Sequence, residues 1–277
     1  MDTSNSTIQP IAGRAKGQVK HPLVHTEENS AEDRVLYMIH RKAYEAAAEM
    51  SAGKRVLDWG CNDGYGMEIL KPYASEVAGL DVAPHALRAA QQRLPEMAAN
   101  IRAYDGSQLP FPPASFDMVT SFQVIEHVAE YDQYLSMIRE ALRPGGMAVF
   151  TTPNRLIRLD PGMKPWNPFH VFEFTADDLR ACLTPYFSSV EIRGLRSRPE
   201  IEAIELARCR AQKEAAKRAS TLRGRVSAKV QGLVRRIKRS AGSATPGHDG
   251  RNYTTGDFRY ESAQLERALD LMAIGKK

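Results

Sequence analysis

Short apolar runs alternate with helical patterns along most of the chain, and this alternation constrains the fold more than any other feature. The apolar runs occupy residues 55–59, 76–80, 116–121, 147–151, 190–192 and 269–274. The helical patterns occupy residues 31–50, 84–93 and 131–142, and an Arg-Pro-Gly-Gly stop signal follows the last of these at 143–146. The first has an apolar side formed by Val35, Ile39, Ala43 and Ala47, and a further capped helix begins within residues 174–178. Strands that alternate with helices in this way build a parallel sheet covered by helices on both faces. The sequence therefore predicts an α/β fold.

The extent of this pattern defines the predicted domain. Residues 1–30 mix polar residues, Gly and Pro without periodicity, which is typical of a flexible leader. Residues 31–277 can bury one substantial core, so we expect a single domain there. Residues 197–256 separate two predicted strands and are interpreted as an insertion that carries a basic helix before the last strand.

The sequence gives no sign of export or membrane insertion. The N-terminal residues lack the basic-then-apolar pattern of a signal peptide, and no apolar run reaches the roughly 20 residues that span a bilayer. Cys61, Cys182 and Cys209 are widely spaced and follow no metal-ligand pattern. We therefore expect a cytoplasmic protein.

A glycine-rich turn follows the first predicted strand, in the stretch VLDWGCNDGYG at residues 56–66. Glycine lets the backbone approach a ligand closely and adopt positive φ. The helix that begins after the turn presents free N–H groups. In open α/β sheets, ligands bind at the carboxyl ends of the strands. This stretch therefore predicts a nucleotide-like ligand site.

The residues of the turn narrow the choice of ligand. A dinucleotide fingerprint requires small residues at positions 62 and 65, where this chain has Asn62 and Tyr65. A Walker lysine is also missing. Asp58, at the end of the strand, suits a ligand with an amine, such as the methionine part of S-adenosylmethionine.

The stretch resembles the first motif of the class I methyltransferases, approximately V-L-D-x-G-C-G-x-G. Six residues match, with Asn62 at a position where glycine is usual: Val56, Leu57, Asp58, Gly60, Cys61 and Gly64. Asn tolerates a left-handed backbone better than most residues. The resemblance covers residues 55–193. It implies a Rossmann-like sheet of seven mostly parallel strands, with the last antiparallel, and S-adenosyl-L-methionine as cofactor.

The resemblance also assigns further cofactor contacts. Asp81, which ends the second strand, would hold the ribose hydroxyls beside Val82, because a carboxylate can accept both protons. In the stretch YDGSQLPF at residues 104–111, Asp105 would accept the adenine amino group. The remaining predicted cofactor contacts are Gly106, Ser107 and Gln123. Taken singly, each acid could be a simple helix cap, and it is the ordered set that favours the cofactor.

The stretch FQVIEHV at residues 122–128 supplies the first candidate for catalysis. His127 is our candidate general base, because imidazole titrates near neutral pH. Glu126 would orient this histidine or contact the substrate. The IEHV segment resembles methyltransferases of ubiquinone synthesis and of sugars. The ubiquinone enzymes carry an acid implicated in metal binding where this chain has Gln123. We therefore predict no metal, and packing or capping stays open as an alternative role for His127.

A second polar and aromatic cluster follows the fifth strand, where the family has a substrate-facing loop. Its candidate substrate contacts are Asn154, Trp166, Asn167 and Phe169. His170 is the second candidate base. The alternative is that this loop simply packs over the sheet, with His170 hydrogen-bonded in place.

The motifs favour one acceptor class and leave two alternatives. The segments TPNR, NPFHV and LDLMA look like those of bacterial methyltransferases that act on glycans. We therefore expect O-methylation of a hydroxyl on a saccharide, glycan or glycosylated metabolite. A quinone or phenolic small molecule is the first alternative. A noncatalytic, cofactor-binding scaffold with a basic arm is the second.

Residues 206–240 carry the basic excess of the chain, with twelve Lys or Arg and one acid, Glu214. Within it, the apolar residues at helical spacing are Leu222, Val226, Val230, Leu233 and Ile237. Such a helix can act as a lid on the sheet, or lie as a peripheral contact on an anionic membrane surface. Nucleic acid binding is disfavoured, because the segment has no aromatic residues for stacking. The oligomeric state is not predicted.

Overall fold

The computed structural model describes residues 30–220 and 253–277, which form one sheet flanked by helices. The strands are β1 (Arg55–Trp59), β2 (Glu76–Asp81), β3 (Ile101–Ala103), β4 (Phe116–Phe122), β5 (Leu142–Pro153), β6 (Ser189–Arg196), β7 (Arg259–Glu261) and β8 (Asp270–Lys276). The helices are α1 (Ala31–Met50), α2 (Tyr65–Leu70), α3 (Pro84–Arg93), α4 (Tyr131–Ala141), α5 (Arg155–Arg158), α6 (Ala176–Leu183) and α7 (Pro199–Ser220).

The strand order is β3-β2-β1-β4-β5-β8-β6-β7. The first five strands in this order pair in parallel, while β8 lies antiparallel between β5 and β6. This confirms the mostly parallel sheet and the antiparallel last strand. The carboxyl ends of β1, β2, β4 and β5 therefore meet at one edge, which positions the site.

The sheet has eight strands in the described part of the chain, so the prediction of seven was wrong by one. The extra strand, β7, adds only three residues to the edge, antiparallel to β6. Three residues are too few to show a period-2 pattern, and for the same reason the sequence did not reveal β3.

The fifth strand begins earlier than its apolar run. The sequence predicted a helix to Leu142, a stop at 143–146 and a strand from Met147, but α4 ends at Ala141 and β5 already begins at Leu142. Leu142 pairs with Phe116, and the register then shifts before the regular pairing from Met147 onward. Gly145 takes a φ of +76° within this irregular part.

Helix α1 forms where the sequence places it and covers one part of the core. Ser30 caps it by accepting a hydrogen bond from the Asp33 N–H at 3.0 Å. The predicted apolar side of the helix is buried: Val35, Ile39, Ala43 and Ala47. Helix α6 also has its predicted cap, a capping box between Thr175 and Asp178.

Helix α7 is the described part of the predicted basic insertion. Its buried residues are Ile201, Glu205 and Cys209, and it packs against α1 and α5 instead of against the sheet. The predicted apolar stripe from Leu222 to Ile237 and the predicted leader up to residue 29 lie outside the described residues. Among the helices that are described, none is long and apolar enough to cross a membrane.

Candidate active site

A cavity of about 1010 Å³ lies at the carboxyl edge of the parallel strands. One end is walled by the turns after β1, β2 and β4, which contribute Gly60, Asp81 and Gln123. The other end is walled by α1, α5, α7 and the loop that contains Trp166 and His170. The sequence predicted the first wall and the loop, but not the contribution of α1 and α7.

The glycine turn after β1 adopts the backbone that its sequence requires. Gly60 has a φ of +86°, and a Cβ built on it would lie 2.5 Å from the Val124 Cγ2 atom. Gly64 has a φ of +82° and begins α2. Asn62 takes a φ of +47°, so it does adopt the left-handed backbone expected of a glycine substitute. Gly60 and Asn62 line the cavity.

Asp81 lies at the end of β2 and lines the cavity together with Val82. Its two carboxylate oxygens accept hydrogen bonds from the backbone N–H groups of Asn62 at 3.0 Å and Ala83 at 2.8 Å. Each oxygen keeps acceptor capacity beyond these bonds. The side chain therefore ties two neighbouring turns together and remains available to a hydroxyl-bearing ligand.

The loop after β3 presents a different set of side chains to the cavity than the sequence predicts. Tyr104 and Gly106 line it, whereas Asp105 and Ser107 do not. The Asp105 carboxylate is exposed and accepts hydrogen bonds from the Ser107 N–H at 2.8 Å and hydroxyl at 2.7 Å. These bonds hold the pKa of Asp105 below its usual range. The structure therefore does not place Asp105, the predicted contact of the adenine amino group, in the cavity wall.

Asp58 also lies behind the wall instead of in it. The side chain is fully buried and accepts hydrogen bonds from the hydroxyls of Thr120 at 2.8 Å and Tyr44 at 3.2 Å. Burial raises the pKa of Asp58 to about 7. Tyr44, which the sequence analysis missed, lines the cavity in its place. Gly66 leaves space for the Tyr44 ring, since a Cβ there would lie 2.0 Å from it.

Gln123 follows β4 with a φ of +57° and lines the cavity. Its side-chain nitrogen donates to both carboxylate oxygens of Asp270, each at 3.1 Å, and to the Thr151 hydroxyl at 3.2 Å. Burial raises the pKa of Asp270 well above its usual range. Gln123 therefore fixes the junction between β4, β5 and β8 beside the cavity.

Glu126 and His127 lie in a short 3-10 turn, Ile125–His127, that follows β4. Glu126 is buried, and burial raises its pKa to about 7. One of its oxygens accepts a hydrogen bond from the Thr152 hydroxyl at 3.1 Å, and the other, Oε1, has no hydrogen-bond partner in the described part of the chain. Both residues line the cavity.

The two candidate bases lie beside each other, with ring centroids 4.8 Å apart and planes at 90°. His127 uses Nδ1 to donate to the Phe169 carbonyl at 3.0 Å, and burial lowers the pKa of His127. His170 uses Nδ1 to donate to the Glu173 carboxylate at 2.8 Å. These bonds assign each neutral ring the tautomer whose Nε2 carries a lone pair.

The same region brings together three residues that can ligate a metal. Ligand atoms of Glu126, His127 and His170 lie within 4.8 Å of one another. The sequence argued against a metal because Gln123 stands where an acid would be needed. The structure supplies a different third residue, His170, so the prediction of no metal stays untested.

A buried ion pair supports His170 from behind. Arg158 Nε donates to Glu173 at 3.1 Å, and both side chains are almost fully buried. The sequence analysis missed both residues. Glu173 follows His170 by three positions, and that spacing was a usable signal. No signal in the sequence indicated that Arg158, at the end of a four-residue helix, would be buried.

The predicted substrate contacts separate into two groups. Trp166, Asn167 and Phe169 line the cavity. Asn154 does not, and we withdraw it, because its side chain is fully buried and engaged. Its nitrogen donates to the carbonyls of Leu265 and Ala268, each at 2.9 Å. Its oxygen caps α5 by accepting from a backbone N–H.

Trp166 lines the cavity, and the face of its ring also contacts two arginine side chains. The Arg158 guanidinium lies 4.0 Å from the ring centroid, and the Arg208 guanidinium lies 5.8 Å from it. The indole N–H donates to the Arg158 carbonyl at 3.3 Å. The ring therefore positions two arginines in addition to any role as a stacking surface.

The wall formed by α1 and α7 was not expected. It contributes Tyr37 and His40 from α1, and Glu205 and Arg208 from α7. Burial, then the charges of Arg208 and Arg158, lower the pKa of His40 to about 4. His40 is therefore neutral at neutral pH.

The strand order and the position of the cavity define an α/β protein of the methyltransferase type. Residues 57–150 match the methyltransferase domain family. Two solved structures show the same fold. The YcgJ protein of Bacillus subtilis has a TM-score of 0.52 at 16% identity, over 86% of this chain and 99% of that one. A methyltransferase of Thermotoga maritima has a TM-score of 0.54 at 13% identity, over 89% and 94%.

Curated relatives extend the match. A probable S-adenosylmethionine-dependent methyltransferase of Mycolicibacterium smegmatis is 38% identical over 154 residues, which are 55% of this chain and 59% of the relative. A protein with the same description from Mycobacterium tuberculosis is 33% identical over 60% of each chain. A ubiquinone biosynthesis O-methyltransferase of Cereibacter sphaeroides is 33% identical over 44% of this chain and 52% of that one.

Residues 57–150 therefore form a methyltransferase domain, and the relatives matched over this part of the chain are named as S-adenosylmethionine-dependent methyltransferases. The recognition made from the motifs is thereby confirmed. The matched segment spans about 60% of the length of the first two relatives.

Proposed function

We propose that the protein transfers a methyl group from S-adenosylmethionine to a hydroxyl of a saccharide, a glycan or a glycosylated metabolite. The observation that carries this proposal is the position of His170. It lies in the same cavity as the glycine turn and Asp81, and its Nδ1 is fixed by a buried carboxylate. A hydroxyl needs a base at this point, because an alcohol is a poor nucleophile until it loses its proton.

The end of the cavity formed by β1, β2 and β4 is the proposed donor site. Gly60 leaves room for the ligand, and Asp81 accepts the ribose hydroxyl protons. Tyr104 and Gly106 stand at the adenine side. Tyr44 takes the place that the sequence gave to Asp58. The donor supplies a methyl group bound to a positively charged sulfur, so the protein mainly aligns the two reactants.

We assign the base to His170 in preference to His127. Both rings present an Nε2 lone pair, but their Nδ1 partners differ. When His170 takes up the hydroxyl proton at Nε2, the Glu173 carboxylate stabilises the positive ring, as a carboxylate does in a Ser-His-Asp triad. His127 Nδ1 donates to a neutral carbonyl, which stabilises a positive ring less than a carboxylate does, and burial lowers the pKa of His127. Its proposed task is to contact the acceptor hydroxyl and orient it.

The acceptor would lie between these histidines and the loop that contains Asn167 and Phe169. The Asn167 oxygen accepts a hydrogen bond from the Phe169 N–H at 3.1 Å, which leaves its amide nitrogen for the acceptor. Phe169 is more than one-third exposed and offers an apolar surface beside it. An apolar face next to amide and imidazole groups suits a sugar ring.

A quinone or phenolic acceptor is the second candidate, and one observation favours it. A relative that is 33% identical is named for O-methylation in ubiquinone biosynthesis. The cavity also contains several aromatic residues that would contact such a ring: Tyr37, Trp59, Phe122, Tyr134 and Phe169. The predicted scaffold without activity is the third candidate, and no contact in the cavity favours it.

We also propose that the basic segment of residues 206–240 begins as part of the cavity wall. Arg208 lines the cavity. The ammonium groups of Lys213 and Lys217 pair with the carboxylate of Asp160, which lies between α5 and Trp166, at 2.9 and 2.8 Å. The contacts of α7 therefore favour a place in the cavity wall, beside α1 and α5, over a membrane contact for residues 206–220. Neutralising the basic residues between positions 223 and 239 should leave liposome co-sedimentation unchanged. A loss of co-sedimentation would restore the membrane interpretation.

The experiment for the acceptor compares cells that contain the protein with cells that carry His170→Ala. Mass spectrometry of glycans and small molecules should show a species that gains one CH₂ unit only with the active protein. A modified glycan supports the first candidate, and a modified quinone or phenol supports the second. Tight donor binding with no modified species in either fraction would support the scaffold.

A further inference from the structure

We propose that the acceptor carries an anionic group, a carboxylate or a phosphate, and that Arg158 and Arg208 bind this group at the far end of the cavity. The inference rests on the proposed function, since it names the acceptor class of the same site. Neither arginine was predicted from the sequence as a site residue. Both line the cavity at the end formed by α1, α5 and α7.

Arg158 is a buried guanidinium that the protein uses on one side only. Its side chain is 7% exposed, and Nε donates to Glu173 at 3.1 Å. A guanidinium has five N–H donors. Within residues 30–220 and 253–277, Arg158 Nη1 and Nη2 make no hydrogen bond to the protein. A buried charge with open donors in a cavity is costly unless a ligand or water satisfies it.

Arg208 approaches the same place from α7. Its Nε and Nη2 donate to Glu205 at 2.7 and 2.5 Å, which fixes the plane of the guanidinium. In the described part of the chain Nη1 makes no hydrogen bond to the protein. Glu205 thus orients the group without using all of its donors.

Trp166 holds the two guanidinium groups around one ring, at 4.0 and 5.8 Å from its centroid. Both side chains therefore lose little freedom when a ligand binds, because their positions are already set by Trp166, Glu173 and Glu205. Preorganised arginines bind carboxylate and phosphate groups in a bidentate manner, which gives them a preference over neutral hydroxyls.

The charges around this end of the cavity permit an anion. Glu173 and Glu205 are each already paired with one arginine. Burial raises the pKa of Asp270 well above its usual range, so Asp270 repels an anion less than an ionised carboxylate would. His40 is neutral and can accept or donate without adding charge.

The test measures binding of three matched probes to the protein saturated with S-adenosylhomocysteine. The probes are methyl glucoside, which is neutral, glucuronate, which carries a carboxylate at carbon 6, and glucose 1-phosphate, which carries a phosphate at carbon 1 of the same type of ring. Calorimetry should give at least about tenfold tighter binding for an acidic probe than for methyl glucoside. Glucuronate and glucose 1-phosphate then show whether the group is a carboxylate or a phosphate. Equal affinities for all three, or binding of none, would overturn the proposal.

Substitutions at two positions of α7 locate the site. Arg208→Gln should weaken the binding of the acidic probe by about tenfold or more. Arg208→Lys should give an intermediate loss of affinity. Arg210→Gln is the matched control, because Arg210 is exposed on α7 and does not line the cavity. Equal effects of the changes at 208 and 210 would contradict the assignment. If the acidic probe binds as stated but no methyl transfer occurs, the proposed function fails and the anion site stands.

Discussion

His170 Nδ1 lies 2.8 Å from the Glu173 carboxylate, and the two side chains are 5% and 0% exposed. This contact joins the acceptor end of the cavity to the buried Arg158 pair behind it. Because the bond fixes both the ring orientation and the tautomer, it determines which nitrogen faces the acceptor.

The first prediction concerns Glu173. Glu173→Gln keeps the size of the side chain but removes the charge that stabilises protonated His170. We expect kcat to fall by about 10- to 100-fold and donor affinity to change little, while any rise in the acceptor KM through movement of Arg158 stays smaller than the fall in kcat. Steady-state kinetics with calorimetry of S-adenosylhomocysteine separates these quantities.

The matched control is Glu191→Gln, which removes an exposed glutamate on β6. Its kinetics should equal those of the wild type. If Glu173→Gln raised KM and weakened donor binding to the same degree as it lowered kcat, Glu173 would have only a structural role, and His127 would become the stronger candidate base.

The second prediction separates the two acids assigned to the cofactor. Asp81→Asn should weaken the binding of S-adenosylmethionine by about tenfold or more, because the amide cannot accept hydrogen bonds from both ribose hydroxyls. Asp105→Asn should change the affinity much less, since this exposed carboxylate is bonded to Ser107 outside the cavity wall. Isothermal titration calorimetry of both variants gives the comparison. A larger loss for Asp105→Asn would return the adenine contact to that residue.

The third prediction concerns space at the glycine turn. Gly60→Ala should destabilise the protein by more than the roughly 1–2 kcal/mol expected for a left-handed alanine, because its Cβ would also lie 2.5 Å from Val124. Gly53→Ala isolates the backbone effect, since Gly53 has a φ of +68° and no atom within 4 Å of the new Cβ. Urea denaturation measures both. Equal losses would show that Val124 moves away freely.

The fourth prediction concerns pH. Burial raises the pKa of Asp58 from 3.8 to about 7, so the folded state holds a proton that the unfolded state releases. This contribution to stability is present at low pH and is lost as the pH rises towards the folded pKa. The loss of unfolding free energy should amount to about 2 kcal/mol between about pH 5 and pH 7 and should then level off.

Asp58→Asn removes this titration and keeps polar partners for Thr120 and Tyr44. The difference in unfolding free energy between wild type and variant should therefore change with pH over that window. Denaturation series at several pH values provide the measurement. A difference that stays constant would mean that Asp58 is ionised throughout.

The sequence predicted the parts of the fold that local patterns determine. The strands at 55–59 and 116–121 are short runs with mostly apolar residues, which is typical of a parallel strand buried on both faces. The strand Ile101–Ala103 is too short for such a pattern. Arg143, Pro144 and the two glycines after them were interpreted as a break, yet they form an irregular part of β5 between two residues that pair with β4, Leu142 and Met147.

The candidate site could be predicted where strand ends place its residues. Asp81 reaches the cavity because β2 ends there, beside the turn after β1. Asn154 follows β5 in the same way, but carbonyls of Leu265 and Ala268, more than 100 residues away in sequence, engage its amide. The meeting of Arg158 with Arg208 likewise depends on how α5 and α7 pack, which no local pattern shows.

The central claim is methyl transfer to an acceptor hydroxyl assisted by His170. The most direct measurement incubates the purified protein with S-adenosylmethionine that carries a trideuteromethyl group, together with an extract of candidate acceptors. We expect an acceptor oxygen to gain the trideuteromethyl group with the wild-type protein, and the product to be nearly absent with His170→Ala. Label on carbon or nitrogen, or an undiminished product with His170→Ala, would contradict the account.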